Sequence, residues 1–248
     1  MSAPSWLTAQ PIAHRGLHDK AQGIVENTGA AALRAVEHGF AIECDVQLSR
    51  DGEAMVFHDF ALDRLMKTTG ELFGRDAREL KTLRYAHGTD RIITLDMLLG
   101  LSGGRVPLIC EIKSLFDGNM RLAQRTLAVV AAQDGPVALK SFDPAIIVHL
   151  RAQKASVPLG IIAEAQYTHA TWDGLSADLK HTLANLLHYA ETRPDFLSYH
   201  VNDMPHAVPY LCRTGMGLPV MTWTVRTQEQ RATAARWADQ MVFEGFLP

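Results

Sequence analysis

The sequence predicts a TIM (β/α)8 barrel with a small insertion after the second strand. Eight short apolar runs recur along 248 residues, most of them separated by stretches with helical amphipathic period. The rhythm breaks once, where about 60 residues separate Val46 from Pro107, too many for one loop and one helix. Of all residues 47% are hydrophobic and 21% charged, which suits a soluble chain with a large core. Periodicity alone does not close a sheet on itself, so a doubly wound open sheet is the alternative.

The expected strands are Pro11–His14, Ala41–Val46, Pro107–Ile112, Val137–Ser141, Leu159–Ala163, Phe196–His200, Pro219–Thr224 and Met241–Glu244. The first helix is expected over Thr28–His38, with Asn27 as its N-cap and Gly39 as its stop. Asp143–Pro144 places a capping residue before a proline at the first helical position. Leu175–Tyr189 and Thr227–Trp237 carry apolar stripes of helical period. Residues 1–248 read as a single domain, with an insertion at roughly 59–106. "DGEAMVFHD" leads into it as a turn and second β-arm, and "ITLDMLLGL" within it reads as a short capped helix.

Composition narrows the function. A net charge of -3 and a pI near 6.4 provide no basic footprint for nucleic acid. Three widely spaced cysteines without a CxxC argue against a disulfide framework or zinc knuckle and favour a reducing compartment. The first dozen residues lack the basic and apolar regions of an export signal, and no run approaches the ~18 apolar residues of a membrane span. A cytoplasmic location without stable membrane insertion is the default expectation; oligomeric state is not legible.

In barrels of this class the chemistry lies at the C-terminal strand ends. The first strand ends at His14. Glu43 and Asp45, two residues apart on one strand, share a face, as do Ile109, Glu111 and Lys113 in "LICEIKS". Neighbouring strands therefore gather three carboxylates beside His14. Such carboxylates repel unless a cation intervenes, and all-oxygen donors suit Mg2+ or Ca2+ better than zinc. Arg15 and Lys113 are the other cations available, either to neutralise the cluster or to receive an oxyanion. His58 ends the β-arm as His14 ends the first strand, and paired imidazoles suit proton transfer near neutral pH. Divalent metal, two imidazoles and fixed cations fit phosphoryl transfer or phosphodiester cleavage.

"AHRG", "ENT", "IECDVQLSRDGEAMVFHD", "CEIK", "KSFDP" and "MTWTV" occur in the order and spacing of the glycerophosphodiester phosphodiesterase family, which the chain resembles over nearly its whole length. The resemblance implies a TIM barrel that hydrolyses glycerophosphodiesters to glycerol 3-phosphate and an alcohol, with Ca2+ or Mg2+. It implies His14 and His58 as the acid–base pair and Glu43, Asp45 and Glu111 as metal ligands. Arg15 and Lys113 would contact phosphate, Asn27 would order the site beside Glu26, and Trp223 would line the pocket. Gly16 would supply the tight turn after Arg15.

Two departures are open. The family's last strand commonly leads into a Ser/Thr-Asp-x-Pro turn; here "MVFEGFLP" offers Glu244, either as a replacement or as a solvated residue. In "LSYHVND", Tyr199, His200 and Asn202 are candidates for the alcohol side, whereas Trp172 is expected to pack in the core. The competing functions are a non-catalytic glycerophosphodiester-binding barrel and a related phospholipase acting on a lysophospholipid.

Overall fold

Every expected strand forms, within two residues of its expected bounds. The computed structural model describes residues 3–248. Eight parallel strands close into a ring in the order β1 (Ile12–Ala13), β2 (Ala41–Leu48), β5 (Leu108–Ile112), β6 (Val137–Ser141), β7 (Leu159–Ala163), β8 (Phe196–His200), β9 (Val220–Val225) and β10 (Gln240–Phe243). Parallel pairing of β1 with both β2 and β10 completes the closure.

The last residues of β2, Val46–Leu48, pair antiparallel with β3 (Ala54–Val56), which pairs with β4 (Ile93–Thr94). This β-arm carries the insertion, whose own core joins Phe57, Leu62, Met66, Leu72, Leu80 and Tyr85.

Around the barrel lie α1 (Gly29–Glu37), α3 (Leu95–Ser102), α4 (Arg121–Ala131), α5 (Pro144–Ala152), α6 (Ala177–Ala184), α8 (Ala207–Met216) and α9 (Gln228–Trp237). Two shorter helices are α2 (Ala77–Leu80) in the insertion and α7 (Tyr189–Thr192) before β8. Helix α3 falls within the expected insertion of roughly 59–106, yet it packs between α1 and α4 as the crossover helix of the second barrel unit. The insertion proper is the β3–β4 arm and the chain between its strands.

Two helical expectations need correction. Thr28, not Asn27, caps α1: its hydroxyl accepts from the Ala31 N–H at 3.3 Å. Leu175–Tyr189 is not one helix, because Leu186 adopts φ 51° and separates α6 from α7. The Asp143 cap ahead of Pro144 forms as expected, accepting from the Ala145 N–H at 2.9 Å.

The barrel interior is apolar toward its N-terminal end, where Ile12, Ala41, Ile109, Ala138, Phe196, Met221 and Val242 meet Leu7 from the segment ahead of β1. Gly160 makes room for this layer, since a Cβ there would lie 2.3 Å from the Phe196 ring. The alternate strand residues, among them Ile42, Cys44, Val46, Cys110 and Leu197, pack outward against the helices. Polar side chains are thereby left to fill the opposite, C-terminal end of the interior.

The first turn at that end depends on Gly16. Its φ is +77°, and a Cβ would stand 2.9 Å from the Ala31 backbone in α1. Gly16→Ala is expected to lower stability by about 2 kcal/mol, from the positive φ and the steric conflict together. Thermal denaturation checks this, and an unchanged Tm would refute it.

Candidate active site

Three strands bring the charged residues together. In the β2–β5–β6 register, Asp45, Glu111 and Lys140 stand in one row across the sheet. Glu43 lies two residues before Asp45 on the same face. Both are 1% exposed and Glu111 is 7% exposed. Each of these three carboxylates offers an oxygen within 4.8 Å of the others.

Their charge is opposed by cations from neighbouring positions. Lys113 Nζ lies 2.8 Å from Asp45 and 2.5 Å from Glu111, and Lys140 Nζ lies 3.0 Å from Glu43. Arg15 Nε approaches Asp45 at 3.3 Å, and the Arg15 backbone N–H donates to Glu43 at 3.1 Å. Burial works to raise the Asp45 carboxyl, but Lys113, His58 and Arg15 hold it well below its ordinary range. Glu43 follows the same logic: burial and the charge of Asp45 push upward, while Lys140, His14 and Arg15 keep it lowered. Glu43 and Asp45 are therefore ionised at neutral pH.

Asn27 braces it. Its amide donates to Asp45 Oδ2 at 2.9 Å, and its carbonyl oxygen accepts from the Asp45 N–H at 3.2 Å. This tertiary bond replaces the capping role expected of it. Glu26 beside it takes Arg15 Nη1 at 2.5 Å.

His14 and His58 are held alike. Nδ1 of His14 lies 2.7 Å from Glu244 Oε2, and Nδ1 of His58 lies 2.6 Å from Asp59 Oδ1. A ring nitrogen facing a carboxylate carries the proton, which leaves Nε2 as the free nitrogen of each imidazole. Glu244 is thus built into the site rather than solvated. Burial would raise its carboxyl, but His14 and Arg226 hold it down at about 2. Arg64 joins the two halves, binding Asp59 at 2.6 Å and Glu26 at 2.7 Å.

His14, Arg15, the three carboxylates, His58, Lys113, Lys140 and Trp223 surround a cavity of about 190 Å³. A wider cleft of about 680 Å³ opens beside it, sharing His58, Glu111, Lys113, Phe142, His200 and Trp223. The expected site residues therefore converge on one place.

Three expectations about the rim fail or change. Tyr199 points outward, fully buried, its hydroxyl 3.1 Å from His206 Nδ1, while Asn202 accepts from Gln230 at 2.8 Å. Of the three candidates in "LSYHVND", only His200 lines the cleft, with its ring 4.9 Å from that of Trp223. Trp172 is not a core residue; it lines the cleft too. Lys140 had no expected role. The alternation in "VALKS" sets it on the face of Ala138, but only the β5–β6 register shows that it stands beside Glu111.

The architecture is that of a (β/α)8 enzyme scaffold whose C-terminal strand ends hold an acidic triad able to bind a metal ion. A model of the glycerophosphoryl diester phosphodiesterase family matches residues 14–247, and the chain belongs to that family. A glycerophosphodiester phosphodiesterase of Caldanaerobacter subterraneus is 41% identical over 113 residues, covering 42% of this chain and 44% of the relative. The matched region thus spans less than half of that relative's length. Among solved structures, an Oleispira antarctica phosphodiesterase in complex with the product sn-glycerol-3-phosphate superposes with TM-score 0.77 at 21% identity, covering 96% of this chain and 94% of that one. A Thermotoga maritima glycerophosphodiester phosphodiesterase superposes with TM-score 0.71 at 22% identity, covering 94% and 92%. These likenesses match the closed barrel found here.

Proposed function

We propose that the protein hydrolyses glycerophosphodiesters to glycerol 3-phosphate and an alcohol, using His14 and His58 as the proton-transfer pair. The observation that carries this reading is the convergence of two carboxylate-held imidazoles, a buried acidic triad and fixed cations on one cavity. Family membership and the relatives' names support the substrate class.

Glu43, Asp45 and Glu111 fit a hard divalent cation, Mg2+ or Ca2+, because every donor is a carboxylate oxygen and all converge. When bound, such an ion would supply positive charge that stabilises the phosphate group. The chain's own residues do the rest. Arg15 and Lys113 attract the phosphate and orient it, and Trp223 forms an apolar wall beside it. One imidazole Nε2 takes the proton from the attacking hydroxyl, which is water in direct hydrolysis or the glycerol 2-hydroxyl in a two-step route whose cyclic phosphate is then opened by a water deprotonated in the same way. The other imidazole, protonated, gives its proton to the departing alkoxide as the P–O bond breaks. Glu244 and Asp59 steady the two rings and stabilise whichever is cationic.

The substrate is a small molecule. The three cysteines, all buried and unpaired, suit a reducing compartment such as the cytoplasm. No helix among the described residues is long and apolar enough to cross a membrane.

The test is release of glycerol 3-phosphate from glycerophosphocholine, glycerophosphoethanolamine and glycerophosphoglycerol by the purified protein. Activity is expected with Mg2+ or Ca2+, to be abolished by EDTA, and to be absent from a Glu43→Gln, Asp45→Asn double variant. No release from any diester with either metal would overturn the reading.

A further inference from the structure

One wall of the 680 Å³ cleft has no part in the proton transfers described above. Phe142 stands between two indoles, 4.9 Å from Trp172 and 5.6 Å from Trp223, and Phe116 meets the edge of Trp172 at 6.2 Å. All four rings line the cleft. Glu164, the residue after β7, lines it as well. Its Oε1 is buried and has no hydrogen-bond partner, the only carboxylate oxygen so placed among the described residues.

The other charged groups of the cleft are already engaged. Asp203 accepts from the Ala165 N–H at 2.8 Å and lies 3.4 Å from His200 Nδ1. Asp59 is bound by His58 and Arg64, and His169 Nδ1 by Thr171. Lys113 is paired with Asp45 and Glu111 at the inner end. The cleft therefore differs along its length: its inner end holds cations already paired with carboxylates, and its outer part holds Glu164 among aromatic rings.

A half-buried carboxyl with one oxygen shut off from water and lacking a hydrogen-bond partner is unfavourable, and it would be relieved by a cation that is cheap to strip of water. Aromatic faces attract such a cation through their quadrupoles, and a quaternary ammonium group needs no hydrogen-bond acceptors of its own. We propose that Glu164 and the Trp172–Phe142–Trp223 wall form a subsite for a quaternary ammonium group on the departing alcohol. The proposal rests on the phosphodiesterase reading above and deepens it: choline-type glycerophosphodiesters are the preferred substrates. Burial raises the Glu164 carboxyl to about 7, against the pull of the Trp172 indole and with the charge of Asp203 adding to the rise. A cation seated on the rings would keep it ionised.

The experiment compares kcat/KM for glycerophosphocholine, glycerophosphoethanolamine and glycerophosphoglycerol. The wild type is expected to prefer the choline ester, and Glu164→Gln to lower the choline-to-glycerol ratio about tenfold, with Glu164→Asp retaining part of it. Trp172→Leu should lower the ratio in the same direction. A ratio unchanged in both Glu164→Gln and Trp172→Leu, or a wild type that favours the ethanolamine or glycerol ester, would overturn the proposal. A second readout needs no turnover: titration with tetramethylammonium chloride against a sodium chloride control, followed by tryptophan emission. A saturable change that Glu164→Gln abolishes supports the subsite, and its absence from the wild type refutes it. If no diester is hydrolysed, the catalytic reading fails while this titration still decides the subsite.

Discussion

Replacing Lys140 by methionine is expected to lower the melting temperature by roughly 10 °C. The side chains of Lys140 and Glu43 are almost wholly buried, 3.0 Å apart, inside the barrel. Methionine approximates the volume of the lysine stem but removes the charge, leaving Glu43 ionised in a dry interior. Breaking one side of such a pair typically costs about 3–5 kcal/mol, far more than the pair itself contributes over an apolar replacement. A Lys140→Met, Glu43→Leu double variant should therefore recover most of the loss, although it removes a proposed metal ligand. If the single variant melts within about 2 °C of wild type, or the double variant melts lower still, the ion pair is not what holds this layer.

The pH dependence separates this account from a simple packing defect. In the wild type the Glu43 carboxyl is held below its ordinary value, with burial opposed by Lys140. A lowered carboxyl contributes stability that is present above the unfolded value, near pH 4.5, and is lost as pH falls through the folded value. Without Lys140, burial and Asp45 push Glu43 upward against only His14 and Arg15. Its ionisation then becomes a penalty at neutral pH, relieved on acidification. The difference in Tm between wild type and Lys140→Met is expected to be largest near pH 7 and to shrink toward about pH 4. A packing defect would give a difference independent of pH.

Lys140 also marks the boundary of what the sequence discloses. A lysine in a buried strand has an inward or outward sense that alternation supplies, but its neighbour across the sheet depends on register, which is a tertiary property. Strand positions are legible because each is a short buried run with turn residues at its ends. Glu43 with Asp45, and Glu111 with Lys113, are legible because two-residue spacing fixes a common face. Asn27 and Thr28 are both good caps by residue type, and only the bond to Asp45 tells them apart. Tyr199 sits beside His200 in the chain, yet alternation from Phe196 sends Phe196 and His200 inward and Tyr199 outward. Glu164 and Trp172 lie in the connection after β7, where no period applies and only folding brings them to the cleft. Glu244 stands 230 residues from His14, and the closure of β10 onto β1 joins them.

That closure sets the first of the two imidazoles against its carboxylate. His14→Ala and His58→Ala are each expected to lower kcat by about 10²–10⁴ while leaving Tm within a few degrees of wild type. The two rings act in one bond-breaking step, one removing a proton as the other delivers one. Their losses should therefore not multiply: the double variant should be little slower than the worse single variant. Glu244→Gln and Asp59→Asn touch no reacting atom. They loosen the ring orientation and withdraw the negative charge facing an imidazolium, so a smaller loss, about tenfold, is expected from each. Added imidazole should partly restore His14→Ala or His58→Ala, because the cavity left by the ring can admit it. It should change nothing in Glu53→Gln, a control whose side chain pairs with Arg125 outside the site. If His14→Ala or His58→Ala folds normally and retains full turnover, the acid–base assignment is wrong, and the proton must travel through other groups that line the same cavity.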